Sequence, residues 1–219
     1  MPRLLFEKTG NAVWISHLDL MRLFQRAFKR AGLPLTHTQG YNPRPSVSIA
    51  LPLSVGVESK CELLDFELDG CNAACEDICK RLNEALVTGI RVLSCSENGR
   101  KLKELSLLRC TVNMEYDEGV PDGAEAAVTE LFSRKSLPVM RKTKNGPQEQ
   151  DIIPMIKNLL VRKADGNHIV LDAVVCCQNP SLNPMQLSAA VSAHLPDMKP
   201  DHCCYRREEI YDGEQNVFR

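Results

Sequence analysis

The segment "SHLDLMRLFQRAFKRAG", from Ser16 to Gly32, decides the first half of the fold because its pattern predicts a complete amphipathic helix. Ser16 followed three residues later by Asp19 is close to a capping box, which satisfies backbone N–H groups in the first helical turn. Gly32 is typical of the residue just after a helix C-terminus. The apolar residues recur at helical spacing, at Leu20, Phe24, Ala27, Phe28 and Ala31. The opposite face is basic and carries Arg22, Arg26, Lys29 and Arg30.

The segments on either side of this helix predict strands. We expect a strand or hairpin from about Arg3 to Ile15 and another strand in "SVSIALPL", residues 46–53. The alternating segment "CELLDFELD" predicts a third strand, and a helix from about Asn72 to Leu86 and the strand "IRVLSC" follow it. The order βαββαβ is that of a ferredoxin-like domain.

The second half predicts the same order with one additional helix. Its predicted strands are "RCTVNMEY", "LPVMRKT", "HIVLDAVVC" and "YRREEIY", and its helices are residues 124–133 and the segment that begins at Asn183 and Pro184. We expect "KNGPQEQ" to be a polar loop and "IIPMIKNLL" to be the additional helix. The sequence therefore predicts an α+β protein of two tandem ferredoxin-like domains, at residues 1–98 and 107–212, followed by a tail at 213–219.

The connection after the first helix, "QGYNPRP", has the composition of a recognition loop. Tyr41 could stack on a base, Asn42 and Gln39 could bond base edges, and Arg44 could contact a base or a phosphate. The prolines at 43 and 45 would hold the loop extended and leave little conformational entropy to lose on binding. A rigid turn without a ligand is the alternative interpretation.

Composition and charge narrow the function classes. The 219 residues are 43% hydrophobic and 25% charged, which is typical of a globular protein. No apolar run approaches the length of a membrane span and the first ten residues lack a secretory signal, so we expect a cytoplasmic protein without membrane contact. Residues 1–60 carry eight basic and three acidic side chains, which favours an anionic partner such as RNA.

Ten cysteines without a predicted signal peptide indicate reduced thiols rather than disulfides. Cys71, Cys75 and Cys79 fall on one helix face, where core packing is expected. The metal-ligand candidates are Cys176, Cys177, His202, Cys203 and Cys204, since a zinc site needs two such clusters brought together. Adjacent residues of a strand point to opposite faces, so we expect no metal site.

His17 is the candidate for catalysis. At the start of a helix, an imidazole could remain neutral and act as a general base. Endoribonucleases that process CRISPR repeats are also built from ferredoxin-like units and often use a histidine in or near the first helix, which is an analogy of fold alone. Metal-independent RNA cleavage by His17 therefore stands as an alternative function.

The N-terminal quarter resembles the radical-SAM-associated protein family. The resemblance covers about residues 4–58, and its motifs are the KTG segment, "ISHLDL", "AGLP", "QGYNPRP" and "ALPLSVGVES". This chain has Tyr41 where the family usually has Phe, and Arg44 where it often has His. The aromatic side chain is thus kept at position 41, whereas position 44 carries a guanidinium in place of an imidazole.

The resemblance implies a partner enzyme. Members of that family occur fused to, or encoded beside, a radical S-adenosylmethionine protein with a cobalamin-binding-type domain. The S-adenosylmethionine, the iron–sulfur cluster and the cobalamin would be held by that partner, and no cofactor by this chain. No activity is established for the family. The resemblance implies that the radical enzyme supplies the chemistry and that this chain presents or recognises the substrate as an accessory protein.

From these observations we expect a non-catalytic protein that binds tRNA or rRNA and presents it to a radical enzyme for modification. The expected RNA contacts are Lys8, Arg22, Arg26, Lys29, Arg30, Gln39, Tyr41, Asn42 and Arg44. The alternatives are a protein-interaction subunit that docks the radical enzyme through the same loop, and the endoribonuclease with His17.

Overall fold

The computed structural model describes residues 1–143 and 146–219, although the side chains at 142 and 143 are not described. These residues form an α+β fold with four α-helices and mostly antiparallel sheets. The chain divides into two compact units, Met1–Glu104 with Phe218–Arg219, and Leu105–Val217. None of the described helices combines the length and the apolar character that a membrane span requires.

The first unit has the element order that the sequence predicts. Its elements are β1 (Arg3–Lys8), α1 (His17–Arg30), β2 (Val47–Ile49), β3 (Val57–Phe66), α2 (Cys75–Ala85) and β4 (Ile90–Ser96). The strands lie in the order β4-β1-β3-β2, and each neighbouring pair is antiparallel. The helix-facing side chains of β1 and β3 form the core with α1. The ring centroids of Phe6 and Phe24 lie 4.8 Å apart, and those of Phe28 and Phe66 lie 5.1 Å apart.

Two predicted strands of this unit are too long. The expected strand from Arg3 to Ile15 ends at Lys8, and Gly10–Trp14 is a 3-10 turn. The Lys8 ammonium donates hydrogen bonds to the carbonyls of Val13 and Ile15, which folds the chain back toward β1. The predicted strand at 46–53 is only three residues long, since Leu51 has a φ of 48° and leaves the extended conformation.

The second unit has the same strand order with an inserted hairpin. Its elements are β5 (Leu105–Glu115), α3 (Ala124–Phe132), β6 (Pro138–Thr143), β7 (Gly146–Asp151), β8 (Ile156–Lys163), β9 (His168–Cys176), α4 (Met185–His194) and β10 (His202–Asp212). The main strands lie in the order β10-β5-β9-β8, all antiparallel. In the described part of the chain, strands β6 and β7 pair with each other alone, as a two-stranded sheet.

The predictions for residues 137–160 were wrong in three respects. "LPVMRKT" is a strand, but it belongs to the hairpin rather than to the main sheet. Residues 146–150 of the predicted polar loop, together with Asp151, form the second strand of the hairpin. Residues 144 and 145 of that loop lie outside the described residues. The predicted additional helix is a 3-10 turn at Ile153–Met155 followed by β8. Half-buried Leu159 and buried Val161 flank exposed Leu160, which is the period of a strand.

The predicted tail at 213–219 is attached to the protein. Asn216 N–H donates to the Asp212 carboxylate at 2.9 Å, and Phe218 is completely buried. The guanidinium carbons of Arg3 and Arg100 lie 5.5 and 5.1 Å from the centre of the Phe218 ring. These cation–π contacts explain why the last two residues belong to the first unit.

The buried Cys110 of β5 makes stability depend on pH. Burial, reinforced by the nearby Asp172 carboxylate, raises the pKa of this thiol from 9.0 to about 12. The folded protein therefore keeps the thiol protonated at a pH where the unfolded chain ionises it, so stability is lost as the pH rises from 9 toward 12. We expect ionisation of Cys110 in the unfolded chain to lower the free energy of unfolding by up to about 1.4 kcal/mol per pH unit in this range.

Urea denaturation between about pH 8 and 10.5 measures this slope, to the extent that unfolding is reversible. The Cys110→Ala variant should lose free energy of unfolding less steeply than the wild type. Cys204→Ala is the matched control because Cys204 is exposed on β10. Equal slopes for the wild type and Cys110→Ala would contradict the prediction.

Candidate nucleic-acid interface

Helix α1 begins where the sequence predicts, through the capping pair Ser16 and Asp19. The Ser16 hydroxyl accepts from the Asp19 backbone N–H at 3.2 Å and donates to the Asp19 carboxylate at 2.7 Å. The Ser16 hydroxyl and the Arg22 guanidinium both lower the pKa of Asp19. The cap satisfies an N–H group that would otherwise lack a partner and fixes the first turn of the basic helix.

Lys8 is a correction to the predicted RNA contacts. It is 1% exposed, and its ammonium donates to the carbonyls of Val13 at 3.1 Å and Ile15 at 2.9 Å. Burial lowers the pKa of Lys8, although the Glu62 carboxylate raises it in part. Lys8 thus holds the turn that leads into α1 and is not available to a phosphate.

The arginine and lysine residues of α1 form an exposed surface, here named the basic ridge. It consists of Arg22, Arg26, Lys29 and Arg30. Two of them already have protein partners, since Arg22 pairs with Asp19 at 3.0 Å and Arg30 donates to the Ala85 carbonyl at 2.6 Å. Within residues 1–143 and 146–219, the side chains of Arg26 and Lys29 form no hydrogen bond or salt bridge. These two cations are therefore the ones most available to an anionic ligand.

The ridge borders cavities on both sides of α1. Arg22, Arg26 and Arg30 line a cavity of about 350 Å³ together with Asp19, Ile15, Leu23 and Val87. Lys29 lines a second cavity of about 430 Å³, which also includes His37 and Pro45 of the following connection. The second cavity brings the C-terminal end of the ridge next to the base of the predicted recognition loop.

The connection from Thr36 to Ser46, here named the recognition loop, is a narrow hydrogen-bonded ribbon. Thr38 N–H donates to the Arg44 carbonyl at 2.8 Å, and Arg44 N–H donates to the Thr38 hydroxyl at 3.0 Å. Ser46 N–H donates to the Thr36 carbonyl at 2.8 Å, and His37 and Pro45 form an antiparallel bridge. The two arms are therefore held together below the tip.

The tip of this loop presents its polar and aromatic side chains to solvent. Tyr41 is fully exposed, with a relative accessibility of 101%, and Gln39, Asn42 and Arg44 are also exposed. A tyrosine ring without protein contact gains no stability from the fold, which distinguishes it from the buried aromatics of the core. The exposed ring of Tyr41 is therefore available to a binding partner.

His17 has no catalytic partner in the described part of the chain. It is half-buried as the first residue of α1, and no hydrogen bond or ion pair joins its imidazole to another described group. A general base needs an orienting partner or a substrate within hydrogen-bond distance. The endoribonuclease interpretation gains no support from this arrangement.

The metal-ligand candidates of the second unit lie far apart. Cys176 pairs with Leu107 near one end of β5, whereas Cys203 pairs with Met114 near the other end. Seven strand residues separate the two positions, or roughly 23 Å at the rise of a strand. The cluster formed from Cys176, Cys177, His202, Cys203 and Cys204 therefore does not assemble, and the described residues contain no group of three or more potential ligands placed to hold a metal ion.

Sequence reasoning missed two side chains of this interface. Gln25 lies on α1 and His37 on the first arm of the recognition loop, and both line the cavity of about 430 Å³. Gln25 carried no signal, because a polar residue at the margin of an amphipathic helix is ordinary. His37 stands next to the predicted loop residues, and its position in the sequence could have suggested it.

A model of a bacterial protein family matches most of the chain. The model of the family described as "Uncharacterized protein conserved in bacteria (DUF2344)" matches residues 2–184. The chain belongs to this family. This match agrees with the expectation that the chain belongs to a family without an established function. None of the curated proteins searched matches the chain.

Solved structures match the chain at low sequence identity. A chain in a crystal structure of a Cbf5–Nop10–Gar1 complex matches with a TM-score of 0.51 and 8% identity, over 95% of the DUF2344 protein and 48% of that chain. A structure of an H/ACA RNP bound to a substrate RNA gives a TM-score of 0.47 and 9% identity, over 94% and 46%. An unknown protein from Galdieria sulphuraria gives 0.26 and 13%, over 94% and 96%. The DUF2344 protein spans about half the length of the first two chains.

Proposed function

We propose that this protein binds RNA, tRNA or rRNA, through the basic ridge and the recognition loop, and acts as a non-catalytic accessory protein. The observation that carries the proposal is the fully exposed Tyr41 on a hydrogen-bonded ribbon. The ribbon adjoins a helix on which the side chains of Arg26 and Lys29 form no salt bridge with another described residue. Cations that neutralise phosphates and an aromatic ring that stacks on bases are the two elements of single-stranded RNA binding.

The fold is compatible with this role and does not by itself argue for it. We assign both units to the ferredoxin-like plan, since each has the strand order in which the first and third strands are central and all neighbours are antiparallel. The Cbf5–Nop10–Gar1 match supports the fold alone at 8% identity. The proposal therefore depends on the named side chains.

The proposed partner is a radical S-adenosylmethionine enzyme, to which this chain presents the RNA. The resemblance of residues 4–58 to the radical-SAM-associated family motivates this partner, and the enzyme would hold the iron–sulfur cluster, S-adenosylmethionine and cobalamin. An apolar surface suits a protein contact, and Trp14 and Leu18, at the N-terminal end of α1, are 70% and 67% exposed. A docking surface near the N-terminus of α1 would leave the recognition loop for RNA.

The double variant Arg26→Gln/Lys29→Gln tests RNA binding through the ridge. We expect weaker binding to bulk tRNA and to a single-stranded oligoribonucleotide, because two phosphate contacts are lost. Each lost contact should reduce the slope of log K against log salt by about 0.7 for a single strand, or by about 1.4 for both. Fluorescence anisotropy over a series of salt concentrations measures the affinity and the slope together.

The matched control is Arg134→Gln/Lys135→Gln, which removes the same charge from two exposed residues after α3. The control should keep the wild-type slope if binding depends on the ridge rather than on net charge. An unchanged slope in the Arg26/Lys29 variant would refute the proposed interface.

A protein-interaction subunit without RNA contact is the second candidate, and exposed Trp14 and Leu18 favour it. Co-purification with a radical enzyme distinguishes the two functions. A complex that survives high salt and nuclease treatment, together with no measurable RNA affinity of the isolated chain, would establish this candidate instead, since phosphate contacts weaken steeply with salt.

A further inference from the structure

We propose that the cavity of about 430 Å³ between the end of α1 and the base of the recognition loop binds the base of a ribonucleotide, either free or within an RNA strand. This inference rests on the proposed function, because it names the part of the RNA that the interface recognises. The volume lies within the range of about 300–1,000 Å³ that is usual for small-ligand sites.

The walls of the cavity suit the faces of a planar ring. They are formed by apolar groups of Leu33, Pro34, Leu35 and Pro45. Leu33 and Leu35 belong to the core, so the apolar surface open to a base belongs mainly to Pro34 and Pro45. A base inserted here would cover apolar surface while one edge remained directed toward solvent.

The polar groups of the cavity suit the edge of a base and its phosphate. Gln25 supplies both donors and an acceptor, and His37 supplies a donor and an acceptor in its neutral form. Lys29 lies on the rim as a cation, and no carboxylate is among the lining residues. The site has one cation, two side chains that can hydrogen-bond the edge of a base, and no acidic residue. It therefore complements an anionic nucleotide better than a cationic ligand.

The cavity is held open by hydrogen bonds that form without a ligand. The Arg81 guanidinium of α2 donates to the carbonyls of Ala31 at 2.9 Å and Gly32 at 2.9 Å, which fixes the chain where it leaves α1. Gly32 has a φ of 63°, and a Cβ at this position would lie 3.0 Å from Arg81 Nη2. The bridges Leu35 to Leu68 and His37 to Pro45 fix the other side. A preformed site loses little entropy on binding.

Two sets of probes test the site on the full-length protein. Titration calorimetry compares the four nucleoside 5′-monophosphates with ribose 5-phosphate, which keeps the phosphate and lacks the base. Anisotropy measures binding of a single-stranded oligoribonucleotide over the same salt series as for the ridge variants. Gln25→Phe fills the cavity with an aromatic side chain, and Gln148→Phe, at an exposed position of β7, is its control. His37→Ala removes an exposed side chain and serves as a second variant where Gln25→Phe disturbs folding.

We expect at least one nucleoside monophosphate to bind more tightly than ribose 5-phosphate. Gln25→Phe should weaken binding of that nucleotide and of the RNA by roughly tenfold or more, the scale of a lost base-stacking contact. His37→Ala should weaken both by roughly fivefold, as for one lost hydrogen bond. Gln148→Phe should match the wild type.

The outcomes separate the site from the proposed function. RNA affinity that responds to Arg26→Gln/Lys29→Gln but not to Gln25→Phe or His37→Ala would overturn the base site and leave the ridge as the interface. Nucleotide binding that responds to Gln25→Phe, with no RNA binding, would support a free-nucleotide site and overturn the proposed function. No binding of either probe would overturn both.

Discussion

Replacing Lys8 with methionine is expected to lower the free energy of unfolding by about 3 kcal/mol or more. The ammonium group donates to the carbonyls of Val13 and Ile15, and hydrogen bonds from a charged donor contribute about 1.5–3 kcal/mol each. Methionine has a similar length and cannot donate, so both carbonyls lose this partner inside the protein. It also removes a cation that interacts with the fully buried Glu62 carboxylate.

Urea denaturation of the wild type, Lys8→Met and Lys60→Met measures the effect, with Lys60 as an exposed lysine of β3 in the same sheet. Lys60→Met should stay within about 0.5 kcal/mol of the wild type. The RNA affinity of folded Lys8→Met should be unchanged, because its ammonium does not face solvent. A stable Lys8→Met with reduced RNA affinity would restore Lys8 as a phosphate contact and contradict its structural role.

Lys8 shows which part of the site the sequence could not provide. A lysine near a basic helix suggests a phosphate contact, since lysine is rarely buried in proteins. Its burial follows from the 3-10 turn at Gly10–Trp14, which brings two carbonyls of the chain to the end of β1. That turn depends on tertiary packing, so local propensity could not separate a buried lysine from an exposed one.

Helix α1 and the recognition loop were predictable because their determinants are local. Ser16 caps the helix that the segment predicts, from His17 to Arg30, and the exposed basic face follows from helical spacing. The loop was predicted to be rigid from its two prolines. The bonds between Thr38 and Arg44 add a cause of rigidity that composition did not reveal. The available cations, Arg26 and Lys29, could be recognised only once the partners of Arg22 and Arg30 were known.

The second unit was harder to predict because one hairpin interrupts its sheet. The sequence predicts a strand after α3, and β6 is that strand. It pairs with β7, however, and β8 is the strand that pairs with β9 in the main sheet. The segment from Ile152 to Leu160 has enough apolar residues for either a helix or a strand, and periodicity does not decide between them over so short a run. The pairing with β9 decides the outcome, which is a long-range effect.

The aromatic tip of the recognition loop separates binding from folding more sharply than any other position. Tyr41 is fully exposed and stands on a ribbon whose arms are joined by their own hydrogen bonds. Removing its ring deletes no packing within the protein, so Tyr41→Ala should change the free energy of unfolding by less than about 0.5 kcal/mol. A change in RNA affinity can then be attributed to a lost contact.

Tyr41→Ala is expected to weaken binding of single-stranded RNA by about 1–3 kcal/mol, or roughly 5- to 150-fold, because base–aromatic stacking is lost. Tyr41→Phe keeps the ring and should bind within about twofold of the wild type. The salt slope should stay unchanged in both variants, since stacking releases no counterions, whereas Arg26→Gln/Lys29→Gln reduces it. Anisotropy titrations at several salt concentrations distinguish the two effects. Equal affinities of Tyr41→Ala and the wild type would show that the loop tip does not contact RNA, and the ridge would then bind phosphates without base stacking.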